Sequence, residues 1–147
     1  MKDSPEKIQW HPAFAAAIGL EFKNDYEYVR IEQEHNLSKE PLRIDLLVLK
    51  VNNTERKFSN EIGHIMKTYN IIEYKSPKDS LNIDDYYKTI AYACLYKGLE
   101  DSVDNIPANE ITVSLVCTSR PVKMFNRLKE DGAIIEQKFP GIYYITG

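Results

Sequence analysis

One run of ten residues constrains this chain more than any other: residues 42–51, LRIDLLVLKV. It is far shorter than the roughly 20 apolar residues a bilayer-crossing helix requires. Its near-continuous Leu, Ile and Val suit one central strand with both faces covered. Asp45 interrupts it. A carboxylate in such a run is costly unless it is paired, bound to a metal, or placed where the strand opens onto a cleft. A second short run, residues 69–75 (YNIIEYK), reads as another strand, stopped by Ser76-Pro77. Alternation along it turns Glu73 and Lys75 to the same face as Ile71, with Ile72 and Tyr74 facing the other way.

The rest of the pattern supplies layers for these strands. Residues 10–22 are rich in Ala, with Pro12 where a first helical turn tolerates it, and predict a helix. Residues 26–37 mix Tyr, Val and Ile with charges in near alternation, as a half-buried strand does. Asn52-Asn53 signals a turn, and residues 60–68 predict a short helix capped by Asn60. A longer helix opens at Asp84 or Asp85 and runs to about residue 99, with Ile90, Ala91, Cys94, Leu95 and Tyr87 as its apolar stripe. Residues 109–118 predict a strand, 121–129 an amphipathic helix, and 134–145 one or two closing strands around Pro140-Gly141. Helix, strands, helix, strand, helix, strand is an α/β or α+β order, a mixed sheet flanked by helices. With no internal repeat and no Pro- or Gly-rich linker, residues 1–147 read as one domain.

Composition narrows the setting. A 147-residue chain with 43% hydrophobic residues can fold without disulfides or a structural metal. Its two cysteines, Cys94 and Cys117, lie in apolar runs without a CxxC partner and read as buried, reduced core residues. No apolar segment follows the N-terminus, so a secretory signal is not expected and a cytoplasmic location is. The net charge of −3 weighs mildly against non-specific coating of nucleic acid, yet a site built from acidic metal ligands contributes to that charge itself.

Asp45, Glu73 and Lys75 are the residues that fit a packed core least. Two carboxylates leaning into one cleft from neighbouring strands suit a hard cation such as Mg²⁺, which keeps several waters and needs few protein ligands. A lysine beside them can orient or deprotonate an attacking water and offset charge on phosphorus. A structural salt bridge from Asp45 to Lys75 or Arg43 is the bland alternative. His11, His35 and His64 lack metal-ligand spacing, Ser76 lacks a G-x-S-x-G context, and no phosphate-binding glycine loop occurs. Ten tyrosines, four of them at 86, 87, 92 and 96, fit helix-on-sheet packing better than base stacking. Lys67, Lys78, Lys88 and Lys97 could face phosphates or simply be solvated.

Asp45 followed by Glu73-Tyr74-Lys75 resembles the signature of the PD-(D/E)XK nuclease superfamily, whose restriction-endonuclease-like core has the order αβββαβ. The resemblance is nearest to bacterial transposase-associated and Rpn-like members. It is carried by PLRIDLLVLK (41–50), YNIIEYKSP (69–77) and YYKTIAYACLY (86–96). It implies a DNA-cleaving phosphodiesterase that uses Mg²⁺, with Mn²⁺ able to substitute. Asp45, Glu73 and the Tyr74 carbonyl would hold the metal and Lys75 would be the catalytic lysine. Members often add an acid from the first helix, here Glu21, with Glu32 and Glu34 as rivals. The Q-x-x-x-Y of some members corresponds to Lys88 and Tyr92, Lys replacing Gln, and Ile44 stands where the superfamily has Pro. Lys78, Lys88 and Tyr92 would contact DNA, single-stranded or structured forms included. A homodimer is open, since many nucleases dimerise to cut two strands. The alternative is a nuclease-fold module that has lost activity and binds nucleic acid or protein.

Overall fold

A computed structural model describes residues 10–25, 27, 31, 42–50, 55 and 57–147. The chain divides into two compact units, Met1–Pro41 and Leu42–Gly147. In the first, helix α1 spans Trp10–Glu21, with Pro12 in its opening turn, and a 3-10 turn follows at Lys23–Asp25. The strand expected over 26–37 and the turn at Asn52-Asn53 fall mainly or wholly outside the described residues.

Among its described residues the second unit contains a mixed three-stranded sheet, a β-hairpin and two α-helices, an α+β arrangement. Its order is β1 (Leu46–Leu49), β2 (Tyr69–Tyr74), α2 (Ile83–Gly98), β3 (Ile111–Val116), α3 (Val122–Glu130), β4 (Ile134–Phe139) and β5 (Ile142–Thr146). Strand β2 is central. It pairs antiparallel with β1, from Leu46 opposite Ile72 to Leu49 opposite Tyr69. It pairs parallel with β3, Tyr69 with Ile111 through Tyr74 with Val116. A parallel neighbour requires a crossover, and α2 supplies it.

The strand expected over 42–51 is shorter, because the regular pairing with β2 begins only at Leu46. Asp45 stands in a bend ahead of it and is exposed, not mid-strand and buried. The short helix expected over 60–68 is a 3-10 turn, Ile62–Ile65, in which Asn60 Oδ1 accepts from Gly63 N–H at 2.6 Å. A Cβ at Gly63 would meet Phe58 Cβ at 2.7 Å, so the approach of these segments requires glycine there.

The start of β2 is pinned by a buried amide. Asn70 is 1% exposed and makes four hydrogen bonds, the full capacity of its side chain. Its Nδ2 donates to the carbonyls of Val48 (2.9 Å) and Lys67 (2.7 Å). Its Oδ1 accepts from the Lys67 amide (2.8 Å) and the Thr112 hydroxyl (2.6 Å). All three strands are therefore tied at one level by a single side chain.

Helix α2 opens with a reciprocal cap. Asn82 Oδ1 accepts from the Asp85 amide at 3.0 Å, and Asp85 Oδ2 accepts from the Asn82 amide at 3.1 Å. The face it buries differs from the expected stripe. Thr89 and Tyr92 are buried, whereas Ile90, Ala91, Cys94, Leu95 and Tyr87 are exposed. Burial of Thr89 is tolerated because its hydroxyl donates to the Asp85 carbonyl one turn back, 2.8 Å away. Cys94 lies off the packed face and is exposed, and Cys117, just past β3, is only half-buried, correcting the expectation of two core cysteines.

Met124, Phe125 and Leu128 of α3 form the apolar centre, packed by Leu81, Ile83, Tyr86 and the hairpin residues Ile135, Tyr143 and Ile145. Helix α3 stops where Gly132 takes a φ of 95° and the Ala133 and Gly132 amides bond back to the carbonyls of Leu128 and Lys129. Among the described residues no helix is long and apolar enough to cross a membrane.

Candidate metal-binding and catalytic site

The site grows out of the place where β1 and β2 part. Continuing their register one step beyond Leu46 and Ile72 sets Asp45 opposite Glu73. Residues directly opposite on antiparallel strands share a face, with Cβ atoms about 5 Å apart. Side chains replace the backbone ladder there: the Asp45 amide donates to Glu73 Oε1 at 2.9 Å, and the Tyr74 amide donates to Asp45 Oδ2 at 3.0 Å. Each carboxylate is held by the other strand's main chain.

Bringing two carboxylates together has an electrostatic consequence. The Glu73 carboxyl is pushed above its usual range by partial burial, and by the Asp45 charge and side chain beside it. The bond from the Asp45 amide and the charge of Lys88 oppose the shift. A cation between the two groups would relieve the repulsion. Two carboxylates in reach of solvent, each oriented by an amide, match the oxygen-donor set of Mg²⁺ or Mn²⁺, which complete their shells with water. Among the described residues no group of three or more His, Cys, Asp or Glu side chains converges as a metal cage. The residues present suit a two-carboxylate site and not an all-protein one.

Asp45, Glu73, Tyr74 and Lys75 line one cavity of about 180 Å³ with Arg43, Lys88 and Tyr92. Glu73 and Lys75 thus share this cavity, together with Tyr74 between them. The Lys75 amide bonds the Val116 carbonyl at 2.8 Å, extending the parallel ladder one residue past β2. Its ammonium goes to neither carboxylate named in the sequence argument. It pairs with Asp85 Oδ1 at 3.0 Å. Sequence reasoning missed Asp85 as a site residue. The legible signal was Asn82-x-x-Asp85 ahead of a helix, a capping pattern whose acid must lie at the helix mouth.

The other candidates separate. Lys88 is exposed at the cavity, its Nζ 3.9 Å from Asp85 Oδ1. Tyr92 is 9% exposed, so it lines the cavity from a packed position. Lys78 is exposed in the turn after β2 and does not line the cavity. Glu21 closes α1 in the first unit, and its side chain, like Glu32 and Glu34, lies outside the described residues. Of the distant lysines, Lys67 bonds the Asn109 carbonyl at 2.5 Å and Lys97 pairs with Asp104 at 2.7 Å, so both brace loops.

Comparison with models of protein families, with curated proteins and with solved structures gives no match, so the functional reading rests on the geometry of this site.

Proposed function

We propose that this chain is a divalent-metal-dependent nuclease that hydrolyses DNA phosphodiester bonds in the manner of the PD-(D/E)XK enzymes. The observation that carries the reading is the pairing of Asp45 with Glu73 where β1 and β2 part, with Lys75 on the same cavity. The run β1, β2, α2, β3 also agrees with the order of such a core after its first helix and strand. Asp45 and Glu73 would hold the ion, joined by the Tyr74 carbonyl. A bound Mg²⁺ supplies Lewis-acid polarisation of a phosphoryl oxygen and lowers the pKa of water. The Lys75 ammonium orients the attacking water and offsets negative charge gathering on phosphorus. Arg43 and Lys88, at the cavity, receive neighbouring phosphates.

Titration calorimetry with Mn²⁺ tests the reading directly. The native chain binds the ion, and Asp45→Asn and Glu73→Gln each weaken binding at least tenfold, about 1.4 kcal/mol. Both variants keep an oxygen for the amide that the native side chain receives, so their melting temperatures without metal are at or above the native value. Cleavage of a DNA oligonucleotide in Mg²⁺ disappears in both and in Lys75→Ala. A chain that binds no Mn²⁺ while recognising DNA would instead be an inactive binding module, a reading favoured only by the small number of described ligands.

A further inference from the structure

The Lys75–Asp85 pair is a contact that the nuclease reading does not require. Helix caps do not require it either, since Asp85 Oδ2 already completes the cap with the Asn82 amide. The second oxygen, Oδ1, is turned to the Lys75 ammonium at 3.0 Å, across ten residues of chain. Both groups are largely withdrawn from water, the side chains 29% and 13% exposed, which sets this pair apart from the looser ion pairs of α3. Asp85 is itself immobilised by its bond to the cap, so it offers the lysine a fixed acceptor. A lysine stem has four rotatable bonds, and without such an anchor its ammonium would be drawn to Asp45 and Glu73.

We propose that Asp85 is a positioning residue for Lys75: it holds the ammonium at the cavity wall, short of the carboxylate pair, so that Asp45 and Glu73 stay open to a cation while the amine remains at hand. This inference rests on the nuclease reading. The helix mouth thereby does two jobs with one carboxylate. One oxygen fixes where α2 begins, and the other fixes where the lysine ends. Lys88, 3.9 Å from the same oxygen, is a weaker competitor for it and is more exposed.

The test uses the full chain with Asp85→Asn and Asp85→Glu. Asparagine keeps an oxygen for the Asn82 amide and removes the charge that Lys75 needs. Glutamate is itself a common partner at this cap position and restores the carboxylate. In uniformly ¹⁵N-labelled protein, the Lys75 ammonium, assigned by its loss in Lys75→Ala, gives a slowly exchanging signal in the native chain. That signal broadens away in Asp85→Asn and returns in Asp85→Glu. Mn²⁺ binding weakens severalfold in Asp85→Asn, because the freed ammonium competes at the carboxylates. Under Mg²⁺, kcat for DNA cleavage falls about 10- to 100-fold with KM within twofold, as expected for a misplaced group, and Asp85→Glu recovers part of it. An Asp85→Asn variant that keeps the signal, or cleaves and binds Mn²⁺ as the native chain does, overturns the positioning role and leaves the nuclease reading intact. Absence of any Mg²⁺-dependent cleavage by the native chain overturns both.

Discussion

Glu73 carries the cost of standing beside Asp45. Its carboxyl is raised by burial first and by the Asp45 charge as well, so the folded state holds a proton there more tightly than the unfolded chain does. At neutral pH, with the group ionised, this counts against folding. The penalty fades as pH falls through the raised folded value toward the ordinary 4.5. Glu73→Gln should therefore raise the melting temperature at pH 7 without divalent ions. The gain should shrink to nothing below pH 4.5, and Mn²⁺ should stabilise the native chain but not the variant. Differential scanning calorimetry across that range is the measurement, and a variant less stable than the native chain at pH 7 contradicts the argument. Asp85 runs the other way. Burial raises it, but the Asn82 amide, Lys75 and Lys88 outweigh that and lower it overall, so its contribution is lost only as pH drops below the usual 3.8. At this scale the sequence was legible where spacing decides, as for Glu73 and Lys75, two residues apart and lining one cavity. It was not legible for Asp45, which sits in an apolar run yet outside the ladder, because only the place where two strands diverge reveals that.

Elements show the same division. Strands β2 and β3 and helices α2 and α3 lie within a few residues of their expected spans, since periodicity and caps are local signals. The buried face of α2 was misjudged. Its apolar residues mark a stripe through Ile90 and Leu95, yet the face that packs carries Thr89 and Tyr92, and a satisfied hydroxyl leaves no trace in hydropathy. Asn70 escaped notice for a related reason: its four partners come from three segments that only the fold assembles. Replacing it leaves two carbonyls, an amide and a hydroxyl without this partner, the hydroxyl in a buried place and the others in part-buried ones. Asn70→Ala should cost about 3 kcal/mol in urea denaturation, and Thr112→Val, which removes one bond, about 1 kcal/mol. Equal losses from the two would mean that the network does not centre on Asn70.

For the molecule as a whole, the net charge of −3 and the local charges at the site pull in opposite directions. Arg43, Lys75 and Lys88 line one small cavity with three acids, so few cations are available to a phosphate backbone. Affinity for an oligonucleotide, followed by anisotropy in Ca²⁺ to prevent cleavage, should fall with salt at a log–log slope of about −2 to −3. A flat response would argue against DNA as the substrate, and a slope beyond about −6 would place the binding surface elsewhere.

The amide clamp at Asn70 lies three residues upstream of Glu73 on the same strand. Side chains alternate along that strand, so the clamp also sets the phase of everything downstream of it. Deleting Ile71 or Ile72, the two residues between Asn70 and Glu73, would take an apolar side chain from the strand and shift everything after it by one place. It would turn the acid and the lysine away from Asp45, so the reactive groups would be lost together with part of the core.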